Sequence, residues 1–108
     1  MTLELPKPIN AYFAADKIDS ETVSRCFTEQ ALVKDEGHTY QGRAAIKQWK
    51  TAAAAKYQYT CEPLGCVREG AKVVVTCRLT GNFPGSPVDL RFFFELDGDR
   101  IASLEIIP

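Results

Sequence analysis

The chain has 108 residues, a length that suits one domain and leaves no room for a second of ordinary size. It is 45% hydrophobic and 25% charged, which is ordinary globular usage and excludes a disordered or collagen-like chain. Its 13 basic and 14 acidic residues leave a formal charge of −1, so charge gives no reason to expect binding to nucleic acid or to an anionic membrane.

The first half of the chain is predicted to hold three helices and one short strand. Apolar residues recur at helical spacing in the helices and alternate with polar residues in the strand. The helices are expected at Ile9–Ala15, after Asp19 or Ser20, and from Arg43 to about Lys56, and the strand at Ala31–Asp35, before a turn at 36–38.

The second half of the chain is predicted to be a series of four strands. Glu69-Gly70 and Asp97-Gly98 are tight-turn signals, whereas segment 81–87 is a longer connection. Helices followed by a meander of strands are typical of an α+β fold, here one curved antiparallel sheet wrapped around N-terminal helices that pack on one face. The strands are expected at Tyr57–Arg68, Lys72–Thr80, Val88–Leu96 and Ile101–Ile107.

The outer face of this sheet is predicted to be mixed in character. It carries Val74, Arg78, Arg91 and Phe93, and the expected register places Arg78 opposite Arg91. An aromatic side chain on an outer face indicates a surface for a partner. We therefore expect a homodimer, in which acidic residues such as Asp89, from the same chain or from the second copy across a two-fold axis, relieve the repulsion between the two arginines.

The apolar runs and the cysteines of the chain indicate its compartment and the redox state of its thiols. No apolar run reaches the length of a membrane span, and residues 1–8 contain no apolar run of signal-peptide length, so we expect a cytoplasmic protein that does not bind a membrane. The four cysteines form no C-x-x-C pair, and His38 is the only histidine that could join them. We expect reduced thiols in the core, no metal ion and no cofactor.

Three segments of the chain share their order and character with a known family. Phe27–Asp35 is a helix end that leads into a strand finishing on a carboxylate, Tyr40–Trp49 brings a Tyr-x-Gly-Arg start to an apolar-faced helix, and Phe92–Ile106 is a closing hairpin around Asp97-Gly98. Together they resemble the SnoaL-like branch of the nuclear transport factor 2-like superfamily, over nearly the whole chain. The resemblance implies one domain over residues 1–108.

The same resemblance implies a shape and a range of activities. Members have a cone-shaped fold, with a curved sheet wrapped around helices and an apolar cavity open at one end, and they commonly dimerise through the sheet. They include ketosteroid isomerases, polyketide cyclases, hydrolases and many proteins with no known reaction.

Asp35 is the leading candidate for a catalytic residue. A carboxylate in an apolar cavity has a raised proton affinity and could abstract a proton next to a carbonyl, while Tyr12 could donate a hydrogen bond to the developing oxyanion. The resemblance implies the same two roles, since ketosteroid isomerases place an Asp base at the end of this strand and a Tyr donor on the first helix. Their second Asp, in the sheet, is missing here, where Leu90 or a neighbour takes its place, so general proton transfer is expected rather than steroid isomerisation.

His38 is a third candidate, and a set of apolar residues is expected to form the pocket wall. A histidine three residues after Asp35 suits acid–base work at neutral pH, but in a turn it could also face solvent. Asp35 itself could be a turn residue whose carboxylate caps the following backbone.

The expected wall of a pocket of roughly a few hundred Å³ comprises Phe13, Tyr40, Trp49, Val75, Leu90, Phe92, Leu104 and Ile106.

Two functions of different class remain open, because the fold alone does not decide between them. The first is a small-molecule-binding cavity protein that acts as a cofactor-independent isomerase or cyclase on a small apolar or carbonyl-containing molecule, with Asp35 as general base. The second is a non-catalytic ligand-binding or dimeric interaction domain. A buried Asp35 that faces an open cavity would favour the enzyme, and a solvent-exposed Asp35 beside a filled cavity would favour the binding domain.

Overall fold

The computed structural model describes residues 4–108, which form three helices and six strands. The predicted helices and the four later strands are present, with boundaries that differ by at most two residues, while the predicted first strand begins four residues earlier, at Phe27. The helices are α1 (Lys7–Asp16), α2 (Ser20–Ser24) and α3 (Arg43–Lys56), and the strands are β1 (Phe27–Asp35), β2 (His38–Gln41), β3 (Tyr59–Glu69), β4 (Lys72–Gly81), β5 (Val88–Asp97) and β6 (Arg100–Ile107).

Local chemistry fixes where two of the helices begin. The carboxylate of Asp19 caps α2 by accepting the backbone N–H of Thr22 at 2.7 Å. Gly42 precedes α3 with a φ of 87°, a left-handed value that glycine adopts without strain. Directly after it, Arg43 donates its Nε–H to the carbonyl oxygen of Phe27 at 2.9 Å, which ties the start of α3 to the start of β1.

The six strands form one sheet in the order β2-β1-β6-β5-β4-β3. The sheet is mixed, because β1 and β6 run parallel, with Val33 opposite Leu104, whereas every other neighbouring pair is antiparallel. The expectation of a fully antiparallel sheet is therefore wrong for this one pair. The reason is that the chain reaches β6 from β1 through a long crossover, so no tight turn dictates the pairing direction.

The sequence prediction also missed a strand and misplaced one pairing. Strand β2 is short and polar, and it lies at the edge of the sheet, so it lacks the apolar alternation of a half-buried strand. The predicted parity of β4 and β5 is confirmed, since Val75 lies opposite Phe92, but Arg78 faces Asp89 and not Arg91. The shift of two residues keeps every side chain on its predicted face and replaces a repulsive pair with an attractive one.

Helices α1 and α3 pack against the inner face of the sheet and enclose an aromatic core. The ring of Tyr12 makes edge contacts with Phe13, Phe27 and Phe94 at centroid distances of 5.1, 5.9 and 5.6 Å. This core fills the space between the helices and the sheet on one side of α3 and leaves a cavity on the other. No helix within residues 4–108 is long and apolar enough to cross a membrane.

Candidate active site

A cavity of about 560 Å³ lies between α3 and the inner face of the sheet, with the loop between β4 and β5 along one side. Most of its wall is aromatic or aliphatic, and its ionisable groups come from α1, α3 and the β1–β2 turn. The apolar and aromatic wall residues include Tyr40, Trp49, Tyr57, Tyr59, Leu79, Phe83, Val88, Leu90, Phe92 and Ile106, and the charged or titratable ones include Asp16, Asp35, Glu36, His38, Lys50 and Lys56.

The residues that the sequence suggested for the wall divide into two groups. Tyr40, Trp49, Leu90, Phe92 and Ile106 line the cavity. The remaining three lie in the core and not on the wall, because their strand or helix positions point at the aromatic cluster; these are Phe13, Val75 and Leu104.

Asp35 lies at the last position of β1, half-buried on the cavity wall. Its Oδ2 accepts the indole N–H of Trp49 at 3.0 Å, which ties the carboxylate to α3, and the backbone N–H of Glu36 in the turn also interacts with the carboxylate. Burial raises the pKa of Asp35; the hydrogen bond from Trp49 opposes this rise, and the nearby charge of Glu36 adds to it. A carboxylate with this environment binds a proton more readily than an ordinary aspartate.

His38 pairs with Asp35 across the β1–β2 hairpin and stands exposed at the cavity rim. Its ring lies 6.4 Å from that of Tyr40, and Tyr40 lies 6.1 Å from Trp49. The three rings thus form an aromatic row that runs from the rim to the Asp35 carboxylate. His38 is close enough to the cavity to meet a ligand there, while its exposure leaves it in contact with solvent.

A buried ion pair, which the sequence analysis did not identify, forms another part of the wall. The Nζ of Lys50 lies 2.8 Å from Oδ1 of Asp16, and the two side chains are only 8% and 15% exposed. The ammonium also stands over the rings of Trp49 and Tyr12, at 4.6 and 5.2 Å from their centroids. Two aromatic faces and one carboxylate therefore hold this cation in the protein interior.

The signal for this pair was present in the helical spacing. The apolar stripe of α1 runs through Ile9, Tyr12 and Phe13, and its next helical position is Asp16. The stripe of α3 runs through Ile46 and Trp49, and its neighbouring inward position is Lys50. One acidic and one basic residue on the inward stripes of two helices indicate that the charges meet inside the protein.

The charge on Lys50 is maintained despite its burial. Burial disfavours the ammonium, but the Asp16 carboxylate, whose Oδ1 lies 2.8 Å away, favours it by charge and by a hydrogen bond, and the pKa of Lys50 lies above its usual range. Lys50 is therefore a cation at neutral pH. Tyr59 shares this part of the wall, and burial raises the pKa of its phenol, against the opposing charge of Lys50.

Tyr12, the suggested oxyanion donor, lies in the core beside Lys50 and is not part of the cavity wall. It is completely buried, and within residues 4–108 its hydroxyl has no hydrogen-bond partner. Burial raises the pKa of this phenol, and the Lys50 charge opposes the rise. Its ring contacts the ammonium of Lys50, which itself reaches the cavity.

The arrangement offers a base and a cation on one wall, without a metal-binding cluster in the described part of the chain. Residues 4–108 contain no group of three or more His, Cys, Asp or Glu side chains that could hold a metal ion. The groups on the cavity wall that can act on a bound molecule include the Asp35 carboxylate, the Lys50 ammonium and the rim histidine His38.

The chain belongs to the SnoaL-like domain family, whose model matches residues 9–104. Among solved structures, a proposed polyketide cyclase from Sinorhizobium meliloti is 43% identical to this chain and superposes on it with a TM-score of 0.89. The match covers 94% of this chain and 94% of that one. No protein with a curated description matches significantly.

More distant structures share the fold. A hypothetical protein from Catenulispora acidiphila with a ketosteroid isomerase-like fold, solved with trimethylamine, has a TM-score of 0.85 at 20% identity, with 97% of this chain and 87% of that one covered. A nuclear transport factor 2-like protein of unknown function from Cytophaga hutchinsonii has a TM-score of 0.73 at 13% identity, with 98% and 92% covered. The α+β fold of the superfamily is thus confirmed.

Proposed function

We propose that the chain is a cofactor-independent enzyme that moves a proton on a carbonyl-containing molecule, as an isomerase or a cyclase does. Asp35 is the general base, and the cavity of about 560 Å³ holds an apolar or aromatic substrate. The observation that carries the proposal is the Asp35 carboxylate itself, which lies on the cavity wall and is fixed by the Trp49 N–H at 3.0 Å.

The environment of Asp35 supports this role in two ways. An ordinary aspartate, with a pKa of about 3.9, is a weak base towards carbon acids, and burial raises the pKa of Asp35 towards the useful range. The indole bond also leaves the second carboxylate oxygen without a described side-chain donor, so that it can take a proton. The relative named as a proposed polyketide cyclase supports a substrate with several carbonyl groups.

The test is the exchange of ketone α-hydrogens with deuterium oxide, followed by proton NMR with simple aliphatic and aromatic ketones as probes. We expect the wild-type chain to accelerate exchange and Asp35→Asn to reduce the acceleration by roughly 10²–10⁴-fold, the usual contribution of a general base. The asparagine keeps an oxygen for the Trp49 N–H. Asp99→Asn, which makes the same change at an exposed residue of the turn between β5 and β6, outside the cavity, is the matched control. Equal rates for wild type and Asp35→Asn would contradict the proposal.

A homodimer through the outer face of the sheet is a second part of the proposal. Val67, Val74 and Phe93 form a row across three strands, and the Arg91 guanidinium lies 5.6 Å from the Phe93 ring centroid. Val67 is 56% exposed and Phe93 is partly exposed, whereas Val74 between them is only 4% exposed, so the row reaches solvent at its two ends in the single chain. A dimer of standard size would bury roughly 800 Å² of each copy.

Sedimentation equilibrium at micromolar concentration tests the dimer. Phe93→Asp should convert it to a monomer, while Ile18→Asp, at an exposed apolar residue outside this face, should not. A single 12.0 kDa species for the wild-type chain would contradict the dimer and favour a monomeric cavity protein.

The non-catalytic alternative differs from the enzyme in one measurable property. A binding domain would take up a ligand in the same cavity and leave its hydrogens unexchanged, with or without Asp35.

For the compartment we propose the cytoplasm, since the four cysteines are free thiols and a reducing environment keeps thiols in that form.

A further inference from the structure

The Lys50 ammonium is a buried cation that reaches the same cavity as Asp35. We propose that Lys50 is a catalytic electrophile, which stabilises the negative charge that develops on the carbonyl oxygen of the substrate when Asp35 removes a neighbouring hydrogen. The site then takes an enolisable ketone whose oxygen points at Lys50. This inference rests on the proposed function, because it supplies the second half of the same reaction.

Structural stability alone is a weak reason for a buried ion pair. Withdrawing two charges from water costs free energy that their attraction repays only in part, and well-packed apolar residues of similar volume are often as stable or more so. Here the pair occupies inward helical positions where apolar residues would complete the core. Its position on the cavity wall gives the charge a use that an apolar pair could not supply.

The helix α3 places the base and the cation side by side. Consecutive residues of this helix, Trp49 and Lys50, contact the two carboxylates of the wall, Asp35 at 3.0 Å and Asp16 at 2.8 Å. The charge of Lys50 also acts on Asp35, where it is one of the interactions that oppose the rise in pKa. Both groups line the same cavity, and the charge of one acts on the other, so the proposal places a ketone between them.

The Asp16 carboxylate and the two aromatic faces hold the ammonium in place. An ammonium has three N–H bonds; Asp16 accepts one at 2.8 Å, and the hydroxyls of Tyr12 and Tyr59 also interact with the ammonium. Tyr59 lies on the cavity wall, so a substrate oxygen can take its place as acceptor of an N–H. Asp16 and Tyr12 are positioning residues in this scheme, since neither has to touch the substrate.

The proton and the electrons balance without any added reagent. The C–H bond next to the carbonyl breaks, the proton goes to a carboxylate oxygen of Asp35, and the electron pair moves through the new C=C bond onto the carbonyl oxygen. One negative charge thereby passes from Asp35 to an oxygen beside Lys50, so the net charge of the cavity is unchanged. Return of the proton to a different carbon gives isomerisation, and attack of the enolate carbon on a second carbonyl gives cyclisation.

A stable enolate tests the role of Lys50 without any need for turnover. The probe is an acyclic 1,3-diketone, whose neutral and enolate forms absorb at different ultraviolet wavelengths. We expect the bound diketone to ionise at a lower pH than the free compound. Lys50→Met, which keeps an unbranched side chain one atom shorter and removes its charge, should weaken enolate binding at least about tenfold and leave binding of the neutral form nearly unchanged. Lys47→Met, the same change at an exposed position of α3, should have no effect.

A second variant covers the case in which Lys50→Met folds poorly because Asp16 is left buried and unpaired. The double variant Asp16→Leu with Lys50→Met removes both charges and should fold, yet it should still have lost the preference for the enolate. Enolate binding as tight in this double variant as in the wild type would overturn the inference. So would a wild-type chain that leaves the ionisation of the diketone unchanged, or a borohydride-trapped imine at Lys50, which would make the lysine a nucleophile.

The two proposals fail separately. If Asp35→Asn leaves deuterium exchange unchanged while Lys50 still selects the enolate, the base assignment is wrong and the cation assignment stands. If Asp35→Asn abolishes exchange while the Lys50 variants bind the enolate normally, the reverse holds.

Discussion

Two carboxylates on the cavity wall have opposite surroundings. Asp16 faces a full positive charge, the Lys50 ammonium at 2.8 Å, whereas Asp35 faces a neutral donor, the Trp49 indole at 3.0 Å. A neutral donor offsets less of the desolvation of a carboxylate than a cation does, which is why the pKa of Asp35 stays raised. Lys50 and Trp49, which are neighbours in α3, thus give the two carboxylates different roles. Asp16 holds a cation, and Asp35 can take a proton.

The largest expected effect comes from breaking the charged pair. Lys50→Ala leaves the Asp16 carboxylate buried without its cation, and we expect a loss of about 3–5 kcal/mol in the free energy of unfolding. Urea denaturation followed by circular dichroism measures it. Lys47→Ala, on the exposed side of α3, is the control and should lose far less. A small loss for Lys50→Ala would mean that Asp16 finds water or another donor once the lysine is gone.

The neutral pair should give a smaller effect on stability and a distinct effect on titration. Trp49→Phe removes the N–H bonded to Asp35 and keeps a ring in the wall, so we expect a loss of about 1–2 kcal/mol. Because that bond opposes the rise in the pKa of Asp35, its removal should move the pKa further upward. Carboxyl NMR titration of Asp35 in both proteins is the measurement.

The pH dependence of stability follows from the same shift. The pKa of Asp35 is higher in the folded state than in the unfolded state, so the folded state binds the proton more tightly. Its contribution to stability is complete below the unfolded pKa and is lost as the pH rises through the folded pKa. In Trp49→Phe this loss should extend to higher pH, and an unchanged profile would mean that the indole does not control the carboxylate.

The sequence was sufficient for the elements whose pattern is local. The stripes of α1 and α3, the alternation of β4 and β5, and the position of Asp35 at a strand end all follow from spacing between near neighbours. Pairing over long distances was less accessible. The seven-residue connection 81–87 allows several registers of equal parity, so the sequence could not place Arg78 opposite Asp89.

A site residue could be predicted when its own position in the sequence was sufficient, and was missed when the positions of two distant residues had to be considered together. Asp35 stands out alone, whereas Asp16 and Lys50 each resemble an ordinary surface charge until both are seen on inward helical stripes. Tyr12 shows the converse limit. Its place on the apolar stripe of α1 is compatible with either core or cavity, and only the packing of Phe27 and Phe94 around its ring puts it in the core.

The smallest expected effect comes from an exposed ion pair. It tests whether the stability that an ion pair contributes depends on the distance between its charges or on their burial. Arg78 and Asp89 lie directly opposite each other on the outer face with Nε and Oδ1 2.9 Å apart, nearly the same separation as in the buried pair, but their side chains are 51% and 48% exposed. In a monomer, such as the Phe93→Asp variant, water solvates both charges, so Arg78→Ala in that background should reduce the free energy of unfolding far less than Lys50→Ala does. The small loss of stability in Arg78→Ala should vanish in 1 M salt, where charges are screened over about 3 Å, whereas the loss in Lys50→Ala should persist because a buried pair is screened much less than an exposed one. Urea denaturation of both variants at low and high salt makes the comparison. If the two variants lose equal stability, or respond equally to salt, then the Asp16–Lys50 pair is as accessible to water as the outer-face pair, and the buried cation on which the role of Lys50 depends would not exist in solution.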